Sequence, residues 1–291
     1  MMHDPRPRPQ QTVRRPVTVA GRGYWSGREN RVEVRPAPAG TGIVFVVGGR
    51  GGAARIPALL AARVDAVART NLEAQGGRVE MVEHLLSALA ALGVDCCEVA
   101  VTAGELPRLD GSAREFVDAI DAAGLEQLGE PVDPLVARGR LRVGDADAWI
   151  EALPPRFAGL SVDYVLDYGA GPIGRQEFSI EVTPGSYRRE LASARTFITL
   201  DEAARLRAAG LGLDVSLRDL VVFGVDGPVD NVLRWPDECV RHKVLDLVGD
   251  LALAGRPVHA HVRAYRSGHR LNAELAGRLL AACGRGERVP A

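Results

Sequence analysis

The stretch Val240-Arg241-His242-Lys243-Val244-Leu245-Asp246-Leu247-Val248-Gly249-Asp250 reads as a helix with its chemistry confined to one side. Val240, Val244, Leu247, Val248 and, just beyond, Leu251 recur at helical spacing and mark a face for the core. His242, Asp246 and Asp250 fall at successive steps of four, so a single polar stripe carries an imidazole and two carboxylates. The pattern predicts a helix from about Val240 to Ala254, ended by Gly255 and Pro257. An earlier segment, predicted helical over 79–92 and stopped by Gly93, places Val82-Glu83-His84 where the later one places Val240-Arg241-His242.

The same correspondence extends outward. Strands are expected at 32–34 and 43–47, then the His84 helix, a strand at 98–102, and a helix running to Gly124. Ser112-Ala113-Arg114-Glu115 has the spacing of a capping box at the start of that last helix. In the later half, strands are expected at 140–143, 148–153, 160–168 and 178–182, then the His242 helix, a strand at 258–265, and a helix opening near Ser267. Asp110-Gly111-Ser112 leads into the final helix of one half as Arg266-Ser267-Gly268-His269 opens that of the other. This shared order predicts an α+β fold of two similar domains arising from an internal duplication, each a β-sheet layered with helices. The expected boundaries are a disordered tail at 1–15, a first domain at 16–127, a turn-rich linker at 129–134, and a second domain at 135–291.

If the halves pack about a pseudo-two-fold axis, His84 joins His242 and Asp246 in a two-histidine, one-carboxylate set. Such a set holds zinc while leaving a fourth position for water, and it also suits ferrous iron. Glu83 would lie beside that water as a general base. His269, in a Ser-Gly-His turn, is a candidate acid or cationic partner for a departing amine, with Asp250 as the carboxylate that keeps it protonated. Together these groups suit hydrolysis of an unactivated amide. His259 and His261 share a strand face with Arg263 and are read as a half-exposed surface. The glycines of Gly21-Arg22-Gly23-Tyr24-Trp25-Ser26-Gly27 lead towards a strand, so they are read as a tight turn and not as a phosphate loop.

Composition narrows the possibilities. The 291 residues carry 36 Lys and Arg against 37 Asp and Glu, a net charge of −1, so no global field draws the protein to nucleic acid. No apolar stretch approaches the roughly 20 residues that span a bilayer. The four cysteines form no C-x-x-C, and the proline-rich start lacks the apolar core of an export signal. The expectation is a cytoplasmic protein with reduced thiols.

Several spaced blocks resemble the UDP-3-O-acyl-N-acetylglucosamine deacetylases of lipid A synthesis. They are Arg35-Pro-Ala-Pro38 with Thr41-Gly42, Val82-Glu-His-Leu85, Leu106-Pro-Arg-Leu-Asp-Gly-Ser112, Ala194-Arg-Thr-Phe197, Val240-Arg-His-Lys243 with Asp246 and Gly249-Asp250, and Ser267-Gly-His269 with Leu271-Asn272. The resemblance implies an active site between the two domains and zinc held by His84, His242 and Asp246. It implies Glu83 as base, His269 as cationic partner oriented by Asp250, Thr196 as a donor to the oxyanion, and Lys243 facing the phosphate or sugar of a UDP-linked acylated glucosamine. Phe197 and an inserted segment at about 198–225 would form a passage for the acyl chain. The chain departs from the family pattern at Trp25, Thr199 and Asp214-Val215, all at the substrate end. The competing readings are a deacetylase of another N-acyl sugar and a non-catalytic homologue that binds nucleotide sugars.

Overall fold

The computed structural model describes residues 8–49 and 52–284. Its helices are α1 (Glu83–Leu92), α2 (Arg114–Ala123), α3 (Pro184–Glu190), α4 (Leu200–Ala208), α5 (Glu238–Ala252) and α6 (His269–Gly284). A five-stranded sheet in the first half has the order Val17–Arg22, Glu29–Pro36, Cys97–Val101, Ile43–Gly49, Gly52–Pro57. The second half's sheet runs Leu141–Gly144, Trp149–Leu153, Val258–Tyr265, Leu160–Asp167, Arg175–Val182, with Leu135–Val136 added beside Val258. In each sheet the central strand is the one that follows the histidine-bearing helix, and it pairs in parallel with Ile43–Gly49 in the first half and Leu160–Asp167 in the second. Only a crossover can join parallel neighbours, and α1 and α5 lie on those crossovers. Both halves thus follow one strand order, in agreement with the α+β reading.

Neither α1 nor α5 is amphipathic in the ordinary sense, because protein covers both sides. Every residue of α1 except Ala90 is buried, including Glu83, His84 and Ser87. The two helices pack directly on each other. A methyl group on Gly249 of α5 would lie 2.1 Å from the Glu83 carbonyl oxygen of α1, so the missing side chain is what permits this approach. One turn along, Ser87 Oγ donates to the Leu245 carbonyl at 2.7 Å and accepts from Tyr187 of α3 at 2.8 Å. A single apolar cluster continues through both halves, from Val34, Phe45 and Leu89 to Val162, Leu247 and Leu275.

Several expectations are corrected. Residues 8–13 of the expected tail form a strand that pairs antiparallel with Leu125–Val132, and Arg8 binds Asp95 at 2.6 Å; residues 1–7 lie outside the described residues. The same pairing turns most of the expected linker into strand despite Pro131, which β-sheets tolerate at an edge. Residues 79–80, expected to open the first helix, instead end the strand Gly77–Glu80 of a small sheet formed with Arg63–Val64 and Asn71–Ala74. The Ser112 capping box does not form: α2 starts at Arg114 after Ala113, and Ser112 Oγ turns to Asp110 at 2.6 Å. The strand face of His259, His261 and Arg263 is half-exposed as expected, with His259 partly buried and Arg263 exposed, but His261 itself is buried, with Ser161 Oγ 3.0 Å from Nδ1 and Asp163 3.2 Å from Nε2.

Two effects oppose each other at Gly249. Alanine is favoured in a helix by about 1 kcal/mol. Forcing a methyl group against a backbone carbonyl costs about 1–3 kcal/mol. Gly249→Ala should therefore lower the urea midpoint of unfolding at unchanged slope; a midpoint that rises would show that the two helices can separate freely.

Candidate active site

The crossing of α1 and α5 sets the geometry. It brings His84 and His242 edge to face, with ring centroids 5.1 Å apart. Asp246, one turn beyond His242, presents Oδ1 to His84 Nε2 at 3.6 Å and to His242 Nε2 at 3.4 Å. All three residues are buried, and their ligand atoms lie within 4.8 Å of one another. Asp246 Oδ1 is buried without a hydrogen-bond partner, which is costly unless a cation occupies the space it faces. His242 Nδ1 sits 3.0 Å from the Ala194 carbonyl, so Nδ1 carries the proton and Nε2 is left with its lone pair towards the cluster. Burial depresses the pKa of His242 to about 4 and keeps it neutral. Burial opposes ionisation of Asp246 as well, but the neighbouring His242, Lys243, His84 and His269 outweigh it and hold the carboxyl well below its usual range. These residues fit a divalent metal.

A second network starts on the neighbouring side. Asp250, one turn past Asp246, reaches the ring of His269 at the start of α6: Oδ2 lies 2.9 Å from Nδ1. Asn272 Nδ2 donates to the same oxygen at 2.8 Å, and Thr70 Oγ1 donates to Oδ1 at 2.6 Å. Asn272 is held in turn by Ser267 Oγ at 2.6 Å. Burial works against a charge on His269, but Asp250, Asp246 and Glu83 overcome it and raise the pKa to about 9. Glu83 faces the cavity from the first turn of α1, with Oε2 accepting from the Thr70 backbone at 3.0 Å. Burial raises its pKa above the ordinary carboxylate value.

Thr196 enters from the segment ahead of Phe197–Thr199. Its Oγ1 lies 3.3 Å from His242 Nε2 and 3.0 Å from the Gly111 carbonyl, which also accepts from its backbone N–H at 2.7 Å. Arg195 just before it makes a buried ion pair with Glu238 at 2.7 Å and also binds Asn231 and the Val232 carbonyl. Lys243 donates to Asp246 Oδ2 at 3.0 Å. Phe197 is buried against His242 and Phe223.

These groups open into a cavity of about 1800 Å³. One side is apolar: Ile198, Ala203, Leu206, Leu217 and Val222 come from the segment that carries α4, and Trp25 comes from the first half. No residue of α4 is buried, so the apolar residues on its inner side are left to the cavity.

The structure brings together His84, His242, Asp246, Glu83, His269, Asp250, Thr196, Lys243 and Phe197. Thr70, Arg195 and Glu238 were not singled out in the sequence. Thr70 carries no motif, and it reaches Asp250 through a fold contact 180 residues away. Arg195 was quoted only as part of a block, although an arginine and a glutamate that both prove buried are a pair by physical necessity. Asp246→Ala should leave a folded chain that no longer retains metal. Elemental analysis after dialysis checks this, and stoichiometric metal in the variant would rule the ligand set out.

Comparison with known proteins is consistent with this geometry. The family model for UDP-3-O-acyl N-acetylglycosamine deacetylase matches residues 10–281. A UDP-3-O-acyl-N-acetylglucosamine deacetylase of Syntrophotalea carbinolica is 36% identical over 273 residues, covering 94% of this chain and 88% of that protein. One from Brucella ovis is 37% identical over 273 residues, covering 93% and 95%. The chain belongs to the UDP-3-O-acyl N-acetylglycosamine deacetylase family.

Proposed function

We propose that this protein removes the N-acetyl group of UDP-3-O-acyl-N-acetylglucosamine by hydrolysis, releasing acetate, as a step of lipid A biosynthesis in the cytoplasm. The observation that carries the reading is the buried His84, His242 and Asp246 cluster, with a basic carboxylate on one side and a cationic imidazole on the other. The family assignment and the names of its relatives support the substrate. Among the described residues no helix is long and apolar enough to cross a membrane.

The metal we assign is zinc, which when bound lowers the pKa of water and polarises the amide carbonyl. Glu83 takes the proton of the attacking water; its raised pKa makes it a stronger base than an ordinary carboxylate. The Thr196 hydroxyl, 3.3 Å from His242 Nε2, is placed to donate to the oxygen that becomes negative. His269 gives a proton to the nitrogen as the C–N bond breaks, and Asp250, held by Thr70 and Asn272, keeps that imidazole charged and oriented. Lys243 adds positive charge at the cavity wall. Products are acetate and the free amine.

Release of acetate from the UDP-linked substrate, measured before chelation, after chelation and after zinc is restored, tests the reading as a whole. Activity should vanish and return; a folded, zinc-loaded protein without activity at any acyl length would overturn it. Glu83→Ala should keep zinc and lose about a hundredfold or more in turnover, as for removal of a general base. His269 is raised, so its cationic form persists below about pH 9 and is lost as pH rises through that value. Asp250→Asn removes the chief group that raises it. The alkaline limb of the rate profile should then move to lower pH, and an unmoved limb would assign it to another group.

A further inference from the structure

The segment that carries α4 leaves the body of the protein at Phe197–Thr199 and returns at Val221–Phe223, two strands that pair only with each other. Since α4 buries no residue, the segment needs fastening elsewhere. Tyr24 and Arg108 fasten it to the first half. Tyr24 donates from its hydroxyl to the Asp219 carbonyl at 2.7 Å. Arg108, only 7% exposed, gives Nη1 to the Gly23 carbonyl at 2.7 Å and Nη2 to the Asp214 carbonyl at 3.2 Å, and pairs with the carboxylates of Asp214 at 3.4 Å and Asp219 at 3.3 Å. A buried guanidinium is stable only with such counter-charges, so this arginine ties the two segments it touches to one another.

The Gly23 side of the tie is also fixed. Glu105 accepts from the backbone N–H groups of Trp25 and Ser26, each at 2.8 Å. A methyl group on Gly27 would strike the Asp214 carboxylate at 2.8 Å, so the turn and the α4 segment are in direct contact there. Beside this contact, Trp25 from the turn and Val215 from the segment pack against the same small cluster of Tyr24, Leu220 and Val222, and both line the cavity.

We infer that Arg108 and Asp214 are positioning residues that fix where the apolar side of the cavity ends, with Trp25 and Val215 as its end wall, and so set the length of acyl chain accepted. The inference rests on the acylated-substrate reading above. An apolar chain gains about fourfold in affinity for each methylene it buries. The gain stops where the wall stands. Opening the tie by Asp214→Ala, or thinning the wall by Val215→Gly, should move that stop to longer chains. Asp214→Glu keeps the charge and should keep the stop where it is.

The test uses the zinc-loaded protein and saturated fatty acids of graded length as competitors of a bound fluorescent fatty acid. In the unaltered protein, affinity should rise with each methylene and then level off. For chains beyond that point, Asp214→Ala and Val215→Gly should bind at least about tenfold more tightly than the unaltered protein, the scale set by one or two methylenes in an apolar pocket. An identical levelling point in all the proteins would overturn the proposal, as would binding by the unaltered protein that does not depend on length. The Asp214 side chain is 37% exposed, so its loss leaves no buried vacancy, and Val215→Gly tests the same wall without touching the ion pair. Because the readout is binding, absence of acetate release would count against the catalytic reading alone.

Discussion

The close approach of α1 to α5 is the constraint on which everything else in the molecule turns. It depends on Gly249, where even a methyl group would meet the Glu83 carbonyl. Two helices at this distance, covered by sheets on either side, must bury whatever lies between them. Here that is Glu83, His84, His242, Asp246 and Asp250, a set that no apolar core would tolerate unpaired. The Thr70 backbone and Asn272 donate to the carboxylates, and the Ala194 carbonyl accepts from His242, which answers most of the need. Asp246 Oδ1 is left over without a hydrogen-bond partner, beside two imidazoles whose ligand atoms lie near enough to share a metal ion with it.

The same pocket drives like groups apart. His242 is buried and His269 nearly so, yet one is depressed to about 4 and the other raised to about 9. The difference lies in what each Nδ1 meets: a neutral backbone carbonyl for His242, a carboxylate for His269. The carboxyls divide as well, with Asp246 held low by surrounding positive groups and Glu83 raised by burial. Burial and the partner at each Nδ1 thus decide which imidazole is neutral and which is charged, and a pocket that separates like groups in this way is a candidate for acid–base work.

Much of this could be read from residue spacing. The stripe of His242, Asp246 and Asp250 follows from helical periodicity, and the matching order of elements in the two halves predicted that His84 would join it. What escaped was mostly long-range. Nothing local to Thr70 announces a bond to Asp250, and nothing in the proline-containing start of the chain announces a partner strand at 125–132. The capping-box spacing at Ser112 was a true local signal that lost to a nearer acceptor, Asp110. Alternation along 258–265 gives the half-exposed face correctly, but it does not say that Ser161 and Asp163 of the neighbouring strand cover His261 within that face.

The strand at 8–13 has a consequence for how the chain is made. Its partner strand at 125–132 ends the first half, so both members of this pair are made before any of α5. That order leaves α1 without the helix that covers its polar first turn, because α5 lies more than a hundred residues downstream. The polar first turn of α1 is therefore covered only once α5 has been made, and the acids and imidazoles between the two helices stay in water until contacts of long sequence separation form.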